Sequence, residues 1–311
     1  MGLNIDELFE RRIMYPDVDP QERLSRLVGL DDQRNRLSKM LGLLVNPGGL
    51  EDWAKKHHGD AALQLVDTVL RRPPLVILAG DVGSGKTELA ETIGDDVARR
   101  EKIDVTLFPM SLSTRGQGRV GEMTQLLARA FEYTLEHASK LAGSSGKARG
   151  AVILLVDEAD AIAQSRESSQ MHHEDRAGVN AFIRGVDQLA RKRLPAAVIL
   201  CTNRLSALDP AVKRRAADIL TFSRPSAEQR RAVLEPVLKG VGFSINEIAS
   251  VVEATGDGQG REYGFTFSDL VQRLVPAFVL DAYPDDMIRI EQALSRVRSM
   301  EPTPPFQDDS R

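Results

Sequence analysis

The chain has 311 residues, of which 28% are charged and 42% hydrophobic, and its formal charge is 41 − 45 = −4. That length suits one α/β domain with a smaller companion, and so mild an acidic balance argues against sequence-independent nucleic-acid binding over the whole surface. The single cysteine, Cys201, excludes a disulfide within the chain and reads as a small core residue, while no apolar run approaches the ~20 residues of a membrane span.

The first residues, Met1-Gly2-Leu3-Asn4-Ile5-Asp6-Glu7, lack a charged-then-apolar export signal, so a cytoplasmic setting is expected. Residues 1–20 carry the helix breakers Tyr15-Pro16 and Asp19-Pro20, which predict an N-terminal arm leading into helix around Leu24 to Leu44. Over 21–224, short apolar runs alternate with long amphipathic segments such as Met123 to Phe131. The runs are Leu75–Ala79, Val105–Phe108, Ala151–Val156, Ala196–Cys201 and Ile219–Phe222, and the alternation predicts a parallel sheet between helices. Low-complexity stretches at Gly143-Ser144-Ser145-Gly146-Lys147 and Ser165 to Gln170 read as exposed loops. After Arg224-Pro225-Ser226 only helical periods remain, which predicts a small all-helical domain over 225–300. Pro302, Pro304, Pro305 and the Asp308-Asp309 pair make 301–311 an expected flexible tail.

Gly80-Asp81-Val82-Gly83-Ser84-Gly85-Lys86-Thr87 follows one apolar run directly and precedes the helix-like Glu88 to Ile93. This is a phosphate-binding loop in its required context. Glycines let the backbone N–H groups converge on a phosphate, the next helix adds the positive end of its dipole, Lys86 reaches the β/γ oxygens of ATP, and Thr87 offers a hydroxyl to Mg²⁺.

Further along, Ile153-Leu154-Leu155-Val156-Asp157-Glu158 ends a buried strand in two carboxylates with divided roles. Asp157 is expected to hold Mg²⁺ through water and Glu158 to orient and polarise the attacking water. Leu200-Cys201-Thr202-Asn203 sets the Asn203 amide where it can bond that water or the γ-phosphate. The turn and short helix Asp209 to Arg215 end in adjacent arginines; Arg215 is the expected finger toward a neighbouring subunit's nucleotide, with Arg214 as a second finger or an interface ion pair.

The ordered set of phosphate loop, Asp157-Glu158, Asn203 and Arg214-Arg215 resembles the AAA+ ATPases, from about Val28 to Met300. The resemblance implies an α/β AAA+ core followed by a helical lid, with Val28 and Gly29 as adenine contacts. Val179 to Leu189 and Arg273 to Phe278 are similar to the pachytene-checkpoint ATPases that remodel HORMA-domain proteins. Compact bacterial members accompany cyclic-oligonucleotide antiphage systems, and the resemblance implies a homohexameric ring that uses ATP and Mg²⁺ to switch a HORMA partner off.

Two departures stand out. The loop Ser113 to Arg119, which the family places at the ring's pore, has no aromatic grip, leaving Arg115 and Arg119 as its candidate peptide contacts; and Thr266 to Leu270 lacks the lid-sensor arginine, with Arg273 the nearest match. Other AAA+ machines, such as protease-associated unfoldases and clamp loaders, share every nucleotide residue and stay open as alternatives. The letters Asp157-Glu158-Ala159-Asp160 evoke RNA helicases, but those need a second ATP-binding-fold domain, which the helical pattern after Phe222 does not supply. A binding-only switch would need neither Glu158 nor the arginine pair. His172-His173, without cysteine partners, reads as solvated side chains and not a metal site.

Overall fold

A computed structural model describes residues 8–59, 63–112, 122–143, 148–162, 173–258 and 260–306. The chain forms two compact units, one made of 1–26, 32–79 and 87–221, the other of 27–31, 80–86 and 222–311.

The first unit is built on a six-stranded sheet: β1 (Ile13–Tyr15), β2 (Leu75–Gly80), β3 (Asp104–Ser111), β4 (Gly150–Asp157), β5 (Ala196–Thr202) and β6 (Ala216–Phe222), in the order β1-β3-β4-β5-β2-β6. The pairs β3–β4, β4–β5 and β5–β2 are parallel. Leu75 and Ile77 of β2, Leu154 of β4 and Val198 of β5 point into a core with Leu127, Phe131, Phe182 and Val186. Their alternates, Val76, Leu78, Leu155 and Ile199, are equally buried, so both faces of the sheet are covered, as parallel strands require. The helices of this unit are α1 (Val18–Ser25), α2 (Asp31–Val45), α3 (Pro47–His58), α4 (Leu63–Leu70), α5 (Lys86–Glu101), α6 (Glu122–Leu141), α7 (His173–Lys192) and α8 (Pro210–Lys213). Within the described residues no helix is long and apolar enough to cross a membrane.

The segment expected as an arm is built into this unit. Leu8 and Phe9 are buried, and Phe9 stacks on Phe108 with ring centroids 4.8 Å apart. Residues 13–15 then pair antiparallel with the outer edge of β3, covering backbone groups that a parallel sheet would otherwise leave unpaired. The Tyr15 hydroxyl donates to the Glu91 carbonyl, and burial pushes its phenol above the usual range, with the Glu91 charge adding to the shift. Arg23 grips Glu88 through two bonds of 2.8 and 2.9 Å and reaches Glu91 at 3.0 Å. The prolines were read as breakers, yet Pro20 sits in the first turn of α1, where its missing N–H is no loss. Phe9→Ala is therefore expected to lower stability by about 3–5 kcal/mol, the cost of emptying a buried aromatic site. Thermal or denaturant unfolding checks this, and an unchanged midpoint would return the segment to a loose arm.

In the second unit α9 (Ala227–Gly240) and α10 (Ile245–Ala254) each start with a reciprocal cap, Ser226 with Gln229 and Ser244 with Glu247. A π-helical turn, Asp269–Leu274, runs into α11 (Val275–Ala282), where Pro276 lacks the N–H that would close regular spacing onto the preceding turn. With α12 (Ile290–Ser299), these elements enclose Leu234, Phe243, Val251, Phe265, Leu274, Phe278 and Val297.

The expected tail is tied down through its described part. Thr303 donates both its N–H, at 3.0 Å, and its hydroxyl, at 2.7 Å, to the fully buried Asp269 carboxylate. Burial alone would raise the Asp269 carboxyl, but the bonds from Thr303, the Thr266 N–H and Arg273 outweigh it and hold it below the usual range. A buried carboxylate must find such donors, and the tail supplies two of them.

Candidate active site

The phosphate loop runs from the end of β2 to the start of α5. Gly80 and Gly83 are required by close approach. A Cβ on Gly80 would lie 2.0 Å from the Phe222 carbonyl oxygen, and Gly83, at φ +71°, would place one 2.8 Å from the Thr266 hydroxyl. Lys86 is 6% exposed, and its ammonium donates to the carbonyls of Gly80 and Asp81 at 2.9 and 2.7 Å, which holds the charge over the loop. Ser84 is buried beside it, Val82 is exposed, and Gly85 approaches Leu30, which a Cβ there would meet at 2.9 Å. The Ser268 N–H donates to the Gly83 carbonyl at 3.2 Å, so the π-turn entrance braces the loop. In the same unit Gly29, at φ +74°, accepts from the Gln229 amide at 2.6 Å, with Val28 half-buried before it.

The first unit brings the C-terminal ends of parallel strands to one sheet edge. Ala79 of β2 pairs with Thr202 of β5, and Asp157 of β4 pairs with Ser111 of β3. Glu158 follows Asp157 at φ +51°, a left-handed conformation that costs a non-glycine residue about 1 kcal/mol or more. That turn exposes Glu158, whose carboxylate accepts from the Ser111 hydroxyl at 2.5 Å, while Asp157 accepts from the Glu158 N–H at 2.8 Å. Asp160 accepts from the Thr202 hydroxyl at 2.6 Å and from the Asn203 N–H and side-chain amide at 3.0 and 3.1 Å. Asn203 is thereby fixed in orientation at the end of β5.

The two arginines differ sharply. Arg215 is paired with Asp187 through Nε and a terminal nitrogen, at 2.8 and 3.0 Å, and its other terminal nitrogen bonds the Ala211 carbonyl. The hydrogen bond to Asp187 holds its guanidinium above the usual range. Arg214 is exposed at the end of α8, and no ion pair is formed by it among the described residues. Arg215, the arginine expected to reach outward, is thus engaged within its own chain.

The glycine conformations and the Lys86 ammonium fit a polyphosphate, and Thr87, exposed in the first turn of α5, with Asp157 gives the oxygen donors that suit Mg²⁺, which keeps most of its waters. Sequence reasoning missed Ser111, Asp160 and Arg224. Asp160 stood in plain view two residues after Glu158, and the register of β3 on β4 would have aligned Ser111 with Asp157. Arg224, whose Nε donates to the Asp81 carboxylate of the loop at 2.7 Å, carried no sequence signal beyond its place before Pro225. Arg273, the nearest match to a lid sensor, bonds Asp269 at 2.6 Å and the Glu301 carbonyl at 3.1 Å. The loop Ser113 to Arg119 and His172 lie outside the described residues.

Residues 76–224 match the family described as ATPase family associated with various cellular activities (AAA). The chain is 65% identical to CD-NTase-associated protein 6 of Escherichia coli strain MS 115-1 over 98% of both chains. Among solved structures, a chain of the E. coli MS115-1 HORMA:CdnC:Trip13 complex matches with a TM-score of 0.89 and 63% identity, covering 99% of this chain and all of that one. A Trip13 from Rhizobiales matches with a TM-score of 0.74 and 57% identity over 96% of this chain and all of its own. The expected α/β AAA fold and the resemblance to the HORMA-associated group are both borne out. With likeness of this extent, the chain belongs to the AAA family of ATPases, in the branch of the CD-NTase-associated protein 6 relatives.

Proposed function

We propose that this protein is an ATP-hydrolysing ring that remodels a HORMA-domain partner and thereby switches off or recycles it in a cyclic-oligonucleotide antiphage system. The observation that carries the reading is the end-to-end likeness, at 63% identity, to a chain of the HORMA:CdnC:Trip13 complex, beside the likeness to a Rhizobiales Trip13. The protein is cytoplasmic, and an arginine acting on a neighbour's nucleotide needs a head-to-tail interface that closes into a ring, which the resemblance to the pachytene-checkpoint ATPases sets at six subunits. Each subunit works as an ATPase domain over 21–224 with a helical lid over 225–300. ATP is held by the main chain of Gly80, Asp81, Val82, Gly83, Ser84 and Gly85 and by Lys86 and Thr87, with Val28 and Gly29 beside the adenine. Thr87, and Asp157 through water, would hold Mg²⁺, which would supply neutralising charge to the phosphates. Glu158, held by Ser111, accepts a proton from the attacking water, and Asn203, fixed by Asp160, orients that water. Arg214 reaches the neighbouring nucleotide, and Arg215, anchored by Asp187, positions the turn that presents it.

Release of the partner tests the reading directly. A preformed complex of a cognate HORMA protein with its synthase is mixed with the parent protein and ATP, and its dissociation is followed by size-exclusion chromatography. The expected result is dissociation with ATP, none with ADP, and retention of the HORMA protein on the ATP-loaded Glu158→Gln protein. Failure of any HORMA protein to bind that trapped form would leave an AAA ATPase with another substrate.

A further inference from the structure

Asp81 places a carboxylate inside a loop that receives polyphosphate, which by itself opposes binding of the ligand. The structure supplies its compensation within the same compact unit. Arg224 donates Nε to the Asp81 carboxylate at 2.7 Å, one terminal nitrogen to the Gly264 carbonyl at 2.7 Å and the other to the Thr303 carbonyl at 2.7 Å. Its guanidinium also lies 4.8 Å from the centre of the Tyr263 ring. Both partners of the ion pair are only 16% exposed, so water screens the pair weakly. The other Asp81 oxygen accepts the N–H groups of Val82, at 3.0 Å, and of Phe306, at 3.3 Å. The segment that supplies Phe306 and the Thr303 carbonyl is anchored in turn by Thr303 on buried Asp269 and by Arg273 on the Glu301 carbonyl.

We propose that Arg224 is a positioning residue for the nucleotide site, cancelling the Asp81 charge inside the phosphate loop, and that the segment Glu301–Phe306 is the strap that holds Arg224 and Asp81 in place. This rests on the reading of residues 80–87 as the ATP loop. Nucleotide affinity is then set in part by the strap, more than 200 residues away in sequence, and a partner that lifts it weakens ATP binding without touching the phosphate loop. The chemistry is a charge balance: with Arg224 in place the loop meets the triphosphate as a set of N–H donors and Lys86, and without it the Asp81 carboxylate keeps only the Val82 and Phe306 N–H groups and its charge stands uncompensated in the loop that receives the same anion.

Binding of a fluorescent ATP analogue and steady-state ATP hydrolysis are measured for the parent, Arg224→Gln, Asp81→Asn, the double variant, and chains ending at Pro302 in the parent and Asp81→Asn backgrounds. Arg224→Gln is expected to weaken ATP binding about tenfold, roughly 1.4 kcal/mol, while kcat at saturating ATP stays within about twofold. Asp81→Asn sets the reference, and the double variant is expected to bind as Asp81→Asn does, because no carboxylate remains to be compensated. Ending the chain at Pro302 is expected to weaken binding in the parent background and to have little effect in the Asp81→Asn background. A purely architectural role for Arg224 would leave the double variant as weak as Arg224→Gln, since the Asp81→Asn change cannot restore the bonds to Gly264 and Thr303, and that result overturns the proposal. Should Arg224→Gln fail to fold, the two shortened chains decide: equal weakening in both backgrounds removes Asp81 from the account. A parent protein that does not bind ATP at all would instead defeat the nucleotide reading of the loop, a separate outcome read in the same titration.

Discussion

Glu158→Gln is expected to reduce ATP hydrolysis by at least ~100-fold while ATP binding stays at the parent level. The substitution keeps the shape of the side chain and removes its capacity to take a proton. Three observations make Glu158 the group on which the step depends. It sits at φ +51°, a conformation that glutamate does not adopt without compensation. It is exposed directly after a strand that is buried up to Val156, so the turn serves to present it. Its carboxylate is also held by the Ser111 hydroxyl at 2.5 Å, which limits its rotamers before any water arrives. Lys86→Ala is expected to fail differently, by losing ATP binding, because Lys86 is the cation held over the loop at 2.7 Å from the Asp81 carbonyl. Binding by titration and hydrolysis by phosphate release separate the two. Near-parent hydrolysis by Glu158→Gln would transfer the proton-accepting role to another group.

The sheet was legible because its signal is local. Uninterrupted apolar runs of five or six residues, each followed by a helical period, have few solutions other than buried parallel strands, and β2, β4 and β5 lie where those runs predicted. The phosphate loop and Asp157-Glu158 were legible for a second reason: each is contiguous in sequence, so spacing alone carries the chemistry. What stayed hidden depends on partners distant in sequence. Phe9 meets Phe108, Asp269 meets Thr303, and Arg224 meets Asp81 across 143 positions. The anchoring of the described parts of the chain ends, 8–20 and 301–306, shares this origin. Pro16, Pro302, Pro304 and Pro305 do stand outside regular helix, but irregular backbone can still be pinned when a sheet edge or a buried carboxylate lacks partners. Asn203 was found by its company, yet its orientation came from Asp160, which sequence reading treated only as a letter in a motif.

Subunits carrying Arg214→Ala and subunits carrying Glu158→Gln are each expected to be nearly inactive alone and to recover hydrolysis when mixed. An arginine that stabilises charge on the transferring phosphoryl group contributes about 10³-fold or more, so Arg214→Ala should be almost silent by itself. In a ring assembled at random from equal amounts, a site is whole when its own subunit retains Glu158 and its neighbour retains Arg214, giving about one quarter of the sites. Recovery toward that fraction therefore measures action between subunits. Arg215→Ala separates the two arginines. Its guanidinium is spent on Asp187 and the Ala211 carbonyl, with the Asp187 pair about one quarter exposed, so its loss is expected to cost roughly 1 kcal/mol of stability or less and to leave a displaced turn with partial activity. Asp187→Asn should reproduce that partial defect, because it loosens the same anchor without removing either arginine. If Arg215→Ala is as silent as Arg214→Ala and is rescued in mixtures to the same fraction, whereas Asp187→Asn is not impaired, then Arg215 leaves Asp187 on assembly and is itself the reaching residue. A mixture that contains both kinds of subunit in one ring and recovers nothing would place the arginine's action within its own subunit.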